Sequence, residues 1–371
     1  MNRKLTSTII VTFSSLLFSC NEKTATSSSA LSMTGESISD EKKASTAEDL
    51  YRAGVALSFS ENFPLADTLF SQALAIDPHH APSLFYKANS QLIMKFEGIG
   101  KRVMPIAWEK QREALRKSEG KAGKEGDGTI FYFKLKQGDS VFETVSDYQA
   151  FAREMMVTLD DSIAKLDSIK GGFIIDYEEG QKREISTVDI SMWINMYRSM
   201  RASYALQASF NLDDLTKLYA YRGPKKGIGF FNLLKQYPDF LTVKEDAPLH
   251  DAQKNLREVL SSVLETNHSS HVLCQTNQNK SHHGLFQVFC ARDDESLSMM
   301  RFYLGALEGT MTTDASDTEE ERNIEVDLSA LFHFHGKDLK EMMPTSLRED
   351  GMFDLPDPTF GGIIPNGDLF E

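Results

Sequence analysis

The densest set of chemically capable side chains in this chain is His268, His271, Cys274, His282, His283 and Cys290. Imidazole and thiolate are zinc ligands, so one reading is a metal centre or a metal-assisted enzyme. The spacing matches no standard zinc finger, and the stretch between the two cysteines is polar, rich in Asn and Gln. The other reading is a surface loop with incidental histidines, closed by a Cys274–Cys290 disulfide in an oxidising compartment. Such a closure would contribute about 3 kcal/mol in the chain-entropy model. Whether the two thiols meet is a question of geometry that the sequence leaves open. The expectation is the polar loop, with no metal and no cofactor, and the metal or enzymatic use of residues 268–290 stands as an alternative.

Other residues that could do chemistry fall short of a mechanism. No Gly-x-Ser-x-Gly elbow and no His-Glu-x-x-His helix occurs. Gly123-Lys124 is followed by Glu125 and lacks the upstream glycine of a phosphate loop. Gly227-Ile228-Gly229 runs straight into Phe230-Phe231, which is no dinucleotide turn. Asp314, Ser316, Thr318 and Glu325 sit at some positions of a calcium loop, but Glu319 stands where its sharp turn needs glycine. An acidic surface loop is expected there. His333 and His335 would share one face of a strand and read as a structural pair. His79-His80 reads as a solvent-facing turn. No catalytic residue is assigned, and the protein is expected not to be an enzyme.

A dense aromatic set, Trp193, Tyr197, Tyr204, Tyr219, Tyr221, Phe230, Phe231, Tyr237 and Phe240, could line a ligand groove. That use would suit a small-molecule-binding accessory subunit of an uptake system. Helical spacing alone predicts burial of such residues, so core packing is the expectation.

The N-terminus carries a different chemistry. Arg3 and Lys4 precede an uncharged apolar stretch from Leu5 to Phe18, too short to span a bilayer comfortably. It ends in Leu17-Phe18-Ser19-Cys20, after which the composition turns polar. This resembles a bacterial lipobox, with a bulky Phe18 where small residues are usual. The resemblance implies a signal peptide over residues 1–20 and a diacylglycerol thioether and an amide-linked acyl chain (palmitate) on Cys20. Several acyl chains on one residue anchor stably where a single chain is marginal. Asn21 replaces the aspartate that retains lipoproteins in the inner membrane, which points to the periplasmic face of the outer membrane.

Those chemistries need a body to hold them, and the chain is long enough for one. The whole sequence is 41% hydrophobic and 10% aromatic, with net charge −14. Loss of Arg3 and Lys4 with the signal peptide leaves 38 basic and 54 acidic residues, or −16. So acidic a chain is not expected to bind nucleic acid or to adhere directly to anionic lipid. Residues 21–45 are rich in Ser, Thr, Ala, Glu and Lys and read as a solvated, disordered tether.

Folding is expected to begin near Thr46. Leu50, Gly54, Leu57, Ala66, Phe70, Ala73 and Pro78 recur at the spacing of a tetratricopeptide (TPR) repeat. Gly54 and Ala66 are small where two antiparallel helices would touch, while Leu50, Leu57 and Phe70 would fill the seam. Pro64 suits a first helical turn, and Asp77-Pro78 stops the second helix. Ala81, Leu84, Lys87 and Ala88 begin a second unit, but Gly100 and Met104 stand where Ala and Phe are expected.

Further along, helices are expected over residues 101–118, from a capping box at Ser146 to Ile169, from Ser186 and Asp189 to Phe210, from Leu249, and over 294–307. Short strands are expected at 129–136 and 173–175. Residues 351–365, with three prolines and three glycines, read as an extended strap. The whole is expected to be mainly α: a degenerate TPR-like array with short β pieces and an extended C-terminal strap. Its divisions are 46–120 (TPR-like), 121–310 (helical body) and 311–371 (acidic loop and strap).

The order of these parts, down to Phe240-Leu241-Thr242-Val243 and the Asp357-Pro358-Thr359-Phe360-Gly361-Gly362 tail, resembles an uncharacterised group of bacterial TPR-containing lipoproteins. In architecture alone it is also similar to TPR lipoproteins that accompany TRAP-type transporters. The function expected from these readings is a non-catalytic, membrane-anchored scaffold. It would be held in the bilayer through Cys20 and bind a protein partner in the cell envelope.

Overall fold

Thr46 starts the first helix: its side chain accepts a hydrogen bond from Asp49 N (3.1 Å) and donates one to Asp49 Oδ2 (2.7 Å). This satisfies an amide that the first turn leaves unpaired. The computed structural model describes residues 46–107, 109–121, 128–136, 138–178, 181–215, 234–276, 294–314, 323–333, 346–347, 353–354 and positions 357, 359, 362, 363 and 365. Among them the chain is mainly helical, with three two-stranded antiparallel sheets.

Helices α1 (Ala47–Phe59) and α2 (Phe63–Ile76) form an antiparallel hairpin. Gly54 sits so close to the Phe70 ring that a Cβ there would lie 2.5 Å from Cε1. Leu50, Ala66, Phe70 and Ala73 are buried, Leu57 is half-buried, and Pro78 is exposed in the turn that follows. Asp77 Oδ1 accepts from His79 N and holds that turn. Helix α3 (Ala81–Phe96) then packs on α2, where Lys87 Nζ meets Asp67 Oδ2 at 2.5 Å and Ser90 donates to Asp67 Oδ1.

Beyond α3 the expected helix over 101–118 is two helices, α4 (Ile99–Val103) and α5 (Glu109–Lys121). Pro105, which has no N–H to donate, lies at the break. The strand expected at 129–136 is instead a 3-10 turn, Gly128–Phe133. Phe131 O accepts from Gly98 N, and the Phe133 ring lies where a Cβ on Gly100 would be, 2.5 Å from its Cε1. At Gly100, where the repeat spacing predicts alanine, an aromatic ring from outside the hairpin takes up the space of a Cβ.

Helix α6 (Val145–Asp167) is capped by Thr144, two residues before the expected Ser146. Asp147 Oδ2 accepts from Thr144 N and Glu143 N, and the Thr144 bonds chiefly hold its carboxyl below the usual range. Strands β1 (Phe173–Glu178) and β2 (Gln181–Ile185) pair antiparallel, Phe173 opposite Ile185. Helix α7 (Thr187–Ser209) starts at the expected Ser186/Asp189 capping box and ends at Phe210. The chain after it pairs with the Phe240–Val243 stretch: Asn211 N donates to Thr242 O and Leu241 N to Asn211 O, each 2.8 Å. Leu241, buried at φ 65, is held in the left-handed region by these bonds.

Helices α8 (Leu249–Thr276) and α9 (Asp294–Glu308) follow. The hairpin β3 (Met311–Asp314) and β4 (Asn323–Val326), not expected from sequence, leads into a 3-10 turn at Leu328–Phe332. In the C-terminal part β5 (Ser346–Leu347) pairs with β6 (Phe353–Asp354), and Ile363 is buried, its carbonyl accepting from Asp327 N.

Apart from α4 and α5, which lie against the 3-10 turn, each helix lies on the next: α1 on α2, α2 on α3, α3 on α6, α6 on α7, α7 on α8 and α8 on α9. The largest apolar cluster joins Leu84, Phe85 and Leu92 to Phe151, Leu159, Ile175, Ile185, Ile194 and Tyr197, so one core crosses residue 120. Full burial of each such side chain stabilises the fold by about 1.5–3 kcal/mol. No helix among the described residues is long and apolar enough to cross a membrane.

Candidate binding groove

Where α7 and α8 lie side by side, the end of α6 and the end of α9 leave an open groove of about 500 Å³. Helix α7 lines it with Ser191, Ile194 and Arg198, and α8 with Lys254, Arg257, Glu258, Ser261, Ser262 and Glu265. Asp167 and Glu308 close its two flanks. The spacing explains the arrangement: residues three and four apart on a helix share a face, so one stripe of each helix faces the groove.

The charges are arranged in pairs. Arg198 Nε is 2.9 Å from Glu258 Oε2, and Arg257 lies 2.6 Å from Glu308 Oε1, tying α8 to α9. Lys254 is 4.0 Å from Glu258. One turn beyond, Arg201 bridges Asp160 of α6 and Asp251 of α8 at 2.5 and 3.2 Å. Burial works against the Arg201 charge, but the two carboxylates outweigh it and hold its pKa above the ordinary value. Asn195, on the same stripe of α7 by spacing, is 4% exposed. Neither its Oδ1 nor its Nδ2 meets a partner among the described residues.

These groups can recognise a polar chain by hydrogen bonds and ion pairs. Ser191, the only serine of α7 in the groove, donates to Thr187 O of its own helix. Among the described residues no histidine or cysteine lines the groove.

Of the residues expected to pack the first hairpin, Gly54, Leu57, Ala66 and Phe70 meet in one cluster, Leu50 and Ala73 in a second, and Pro78 is exposed in the turn that follows. Cys20, His282, His283 and Cys290 lie outside the described residues, as do the side chains of His268, His271 and Cys274 on α8. The same holds for His335, while His333 is exposed, with Nδ1 2.8 Å from Ser329 O. Among the described residues no cluster of His, Cys, Asp or Glu could hold a metal ion.

His80, expected to face solvent, is instead largely buried, with a 15% exposed side chain. Its ring lies 5.6 Å from that of Tyr51, with Nδ1 2.8 Å from Ser83 Oγ and Nε2 3.3 Å from Glu48. The order Glu–His–Ser suggests a relay, but Ser83 is fully buried at the start of α3 and can meet no substrate. The trio fastens α1 to α3.

The aromatic set is core where it is described. Tyr197 is buried and donates to Asn89 Oδ1, and Trp193 packs edge-on against Phe85 at 5.8 Å. Burial pushes the Tyr197 and Tyr148 hydroxyls far above the usual tyrosine range. Sequence reasoning passed over Arg198, Lys254, Arg257 and Glu258. Their three- and four-residue spacing was visible, but a charged helix stripe reads by default as a solvated face.

Comparison of the chain with protein-family models, curated proteins and solved structures finds no match.

Proposed function

We propose that this chain is a non-catalytic, membrane-anchored scaffold of the bacterial cell envelope, with a TPR-like start, that binds a protein partner. Cys20 carries the lipid, residues 21–45 form the tether, and the helical body works at the periplasmic face of the outer membrane. The observation that carries the reading is the groove between α7 and α8, which is open, polar and paired in charge. A surface of that kind suits an extended segment of another protein better than an apolar small molecule, which needs an enclosed site. Of the aromatic side chains that could have walled such a site, Tyr197 and Trp193 are packed into the core, while Tyr219, Tyr221, Phe230 and Phe231 lie outside the described residues. The TPR-like reading rests on the Gly54–Phe70 contact and on the succession of neighbouring helices from α1 to α9.

The test is crosslinking in native membranes, followed by purification and mass spectrometry, with Cys20→Ala and Arg257→Glu as controls. One recurring partner, lost in both variants, is the expected result. Absence of any recurring partner from the parent chain would overturn the scaffold reading.

A further inference from the structure

Charge is not spread evenly along the chain. Residues 99–136 hold ten basic and five acidic side chains, or +5. The other 30 basic and 49 acidic residues give −19. The basic stretch folds as one unit, with α4 and α5 both lying against the Gly128–Phe133 turn. Arg112 of α5 donates to Ala107 O at 2.8 Å, and Lys101 of α4 pairs with Glu119 of α5. The carboxylates described in or beside the unit are already met by its own cations: Glu113 by Lys117, Glu119 by Lys101 and Glu97 by Lys136. Arg116 and Lys134 are exposed and enter no ion pair among the described residues. Tyr132, 45% exposed, and Leu135, 37% exposed, flank Lys134 in sequence.

We propose that this unit is a membrane-contact surface, which lays Arg116, Lys134 and Tyr132 on anionic phospholipid headgroups. The inference rests on the lipid at Cys20, the anchor proposed above. The unit lies within reach of that anchor. Phe131 of the turn meets Phe63, at the start of α2, with 5.2 Å between ring centres. Thr46 is one α1 length away, about 20 Å. A flexible tether the length of residues 21–45 reaches about 25–30 Å. The anchor supplies attachment, and the basic unit supplies orientation. Anionic headgroups attract its cations and repel the acidic remainder, which turns the unit inward and the rest of the body outward. A tyrosine beside the cations suits the headgroup boundary, where amphipathic aromatic rings settle. The anchor also favours the bilayer over an acidic protein, because it keeps headgroups beside the unit at all times.

The test uses the full chain, purified from native membranes, with a photoreactive amino acid in place of Tyr132 or of Val157. Val157 is exposed on α6, within one turn of Glu154, Asp160 and Asp161. Each chain is reconstituted with vesicles of phosphatidylcholine, alone or mixed with phosphatidylglycerol, then floated, illuminated and searched for lipid adducts by mass spectrometry. The expected result is flotation with both vesicles, and lipid adducts from position 132 only where phosphatidylglycerol is present. Arg116→Glu with Lys134→Glu should cut those adducts by about tenfold or more. The melting temperature should not fall, since both side chains are exposed. Adducts at 132 without flotation on phosphatidylcholine would uphold the surface and remove the anchor. Flotation without adducts would overturn the surface and leave the anchor standing. Equal adducts from both vesicles, equal adducts from position 157, or a protein adduct in place of lipid at 132 in native membranes would each overturn the proposal.

Discussion

The face shared by α1 and α3 and the face shared by α7 and α8 are both built from neighbouring helices, but they are finished in opposite ways. On the first, Tyr51, Phe85, Tyr86 and Asn89 point at the chain's own later elements. Tyr51 Oη accepts from Asp176 N of β1, and Tyr86 donates to Asp176 O at 2.6 Å. Phe85 meets Phe173 and Trp193, and Asn89 meets Tyr197. The second face is left with charges and hydroxyls. Among these neighbouring helices, a face becomes core when a later segment returns to cover it. The face left open is the one available to another molecule.

The comparison can be broken first at the closed face. Phe70→Ala should destabilise the fold by about 3–5 kcal/mol in chemical denaturation, because it empties a fully buried site beside Gly54. A loss under 1 kcal/mol would mean that the hairpin seam is not packed as described.

Alkaline titration probes the same face. Burial raises the Tyr51 hydroxyl to about 12, so the fold holds the neutral phenol more tightly than the unfolded chain does. This contribution is fully present below the unfolded value of about 10 and is lost as pH rises from there through the folded value. Stability measured against pH should fall in that window, and less steeply in Tyr51→Phe.

At the open face the effects should be smaller and partly of opposite sign. Asn195→Leu should stabilise the protein by about 1–2 kcal/mol, because it removes a buried amide with no bonding partner among the described residues. Destabilisation would mean that the amide is bonded in the folded protein. Arg257→Ala should change stability by less than about 0.5 kcal/mol, since its pair with Glu308 is half exposed on both sides. Its effect should appear in partner capture instead.

What was legible in the sequence was local. The Ser186/Asp189 box, the Gly54–Phe70 spacing and the apolar period of α7 each report on a few neighbouring residues, and each is where it was expected. Pro105 was equally visible, but its break was read through because helical residues flank it. The covering of α1 and α3 by β1 depends on contacts such as Tyr51–Asp176, more than a hundred residues apart, which no periodicity encodes. The groove was missed for a related reason. Arg198, Arg257 and Glu258 resemble any solvated stripe until two helices set them face to face.

The most direct measurement puts a photoreactive amino acid at Ser261, inside the groove, and at Val157, on the exposed side of α6, in the full chain in native membranes. The account predicts one recurring protein adduct from Ser261 that vanishes with Arg257→Glu, and none from Val157. No recurring adduct at Ser261, or the same adduct from both sites, would contradict it.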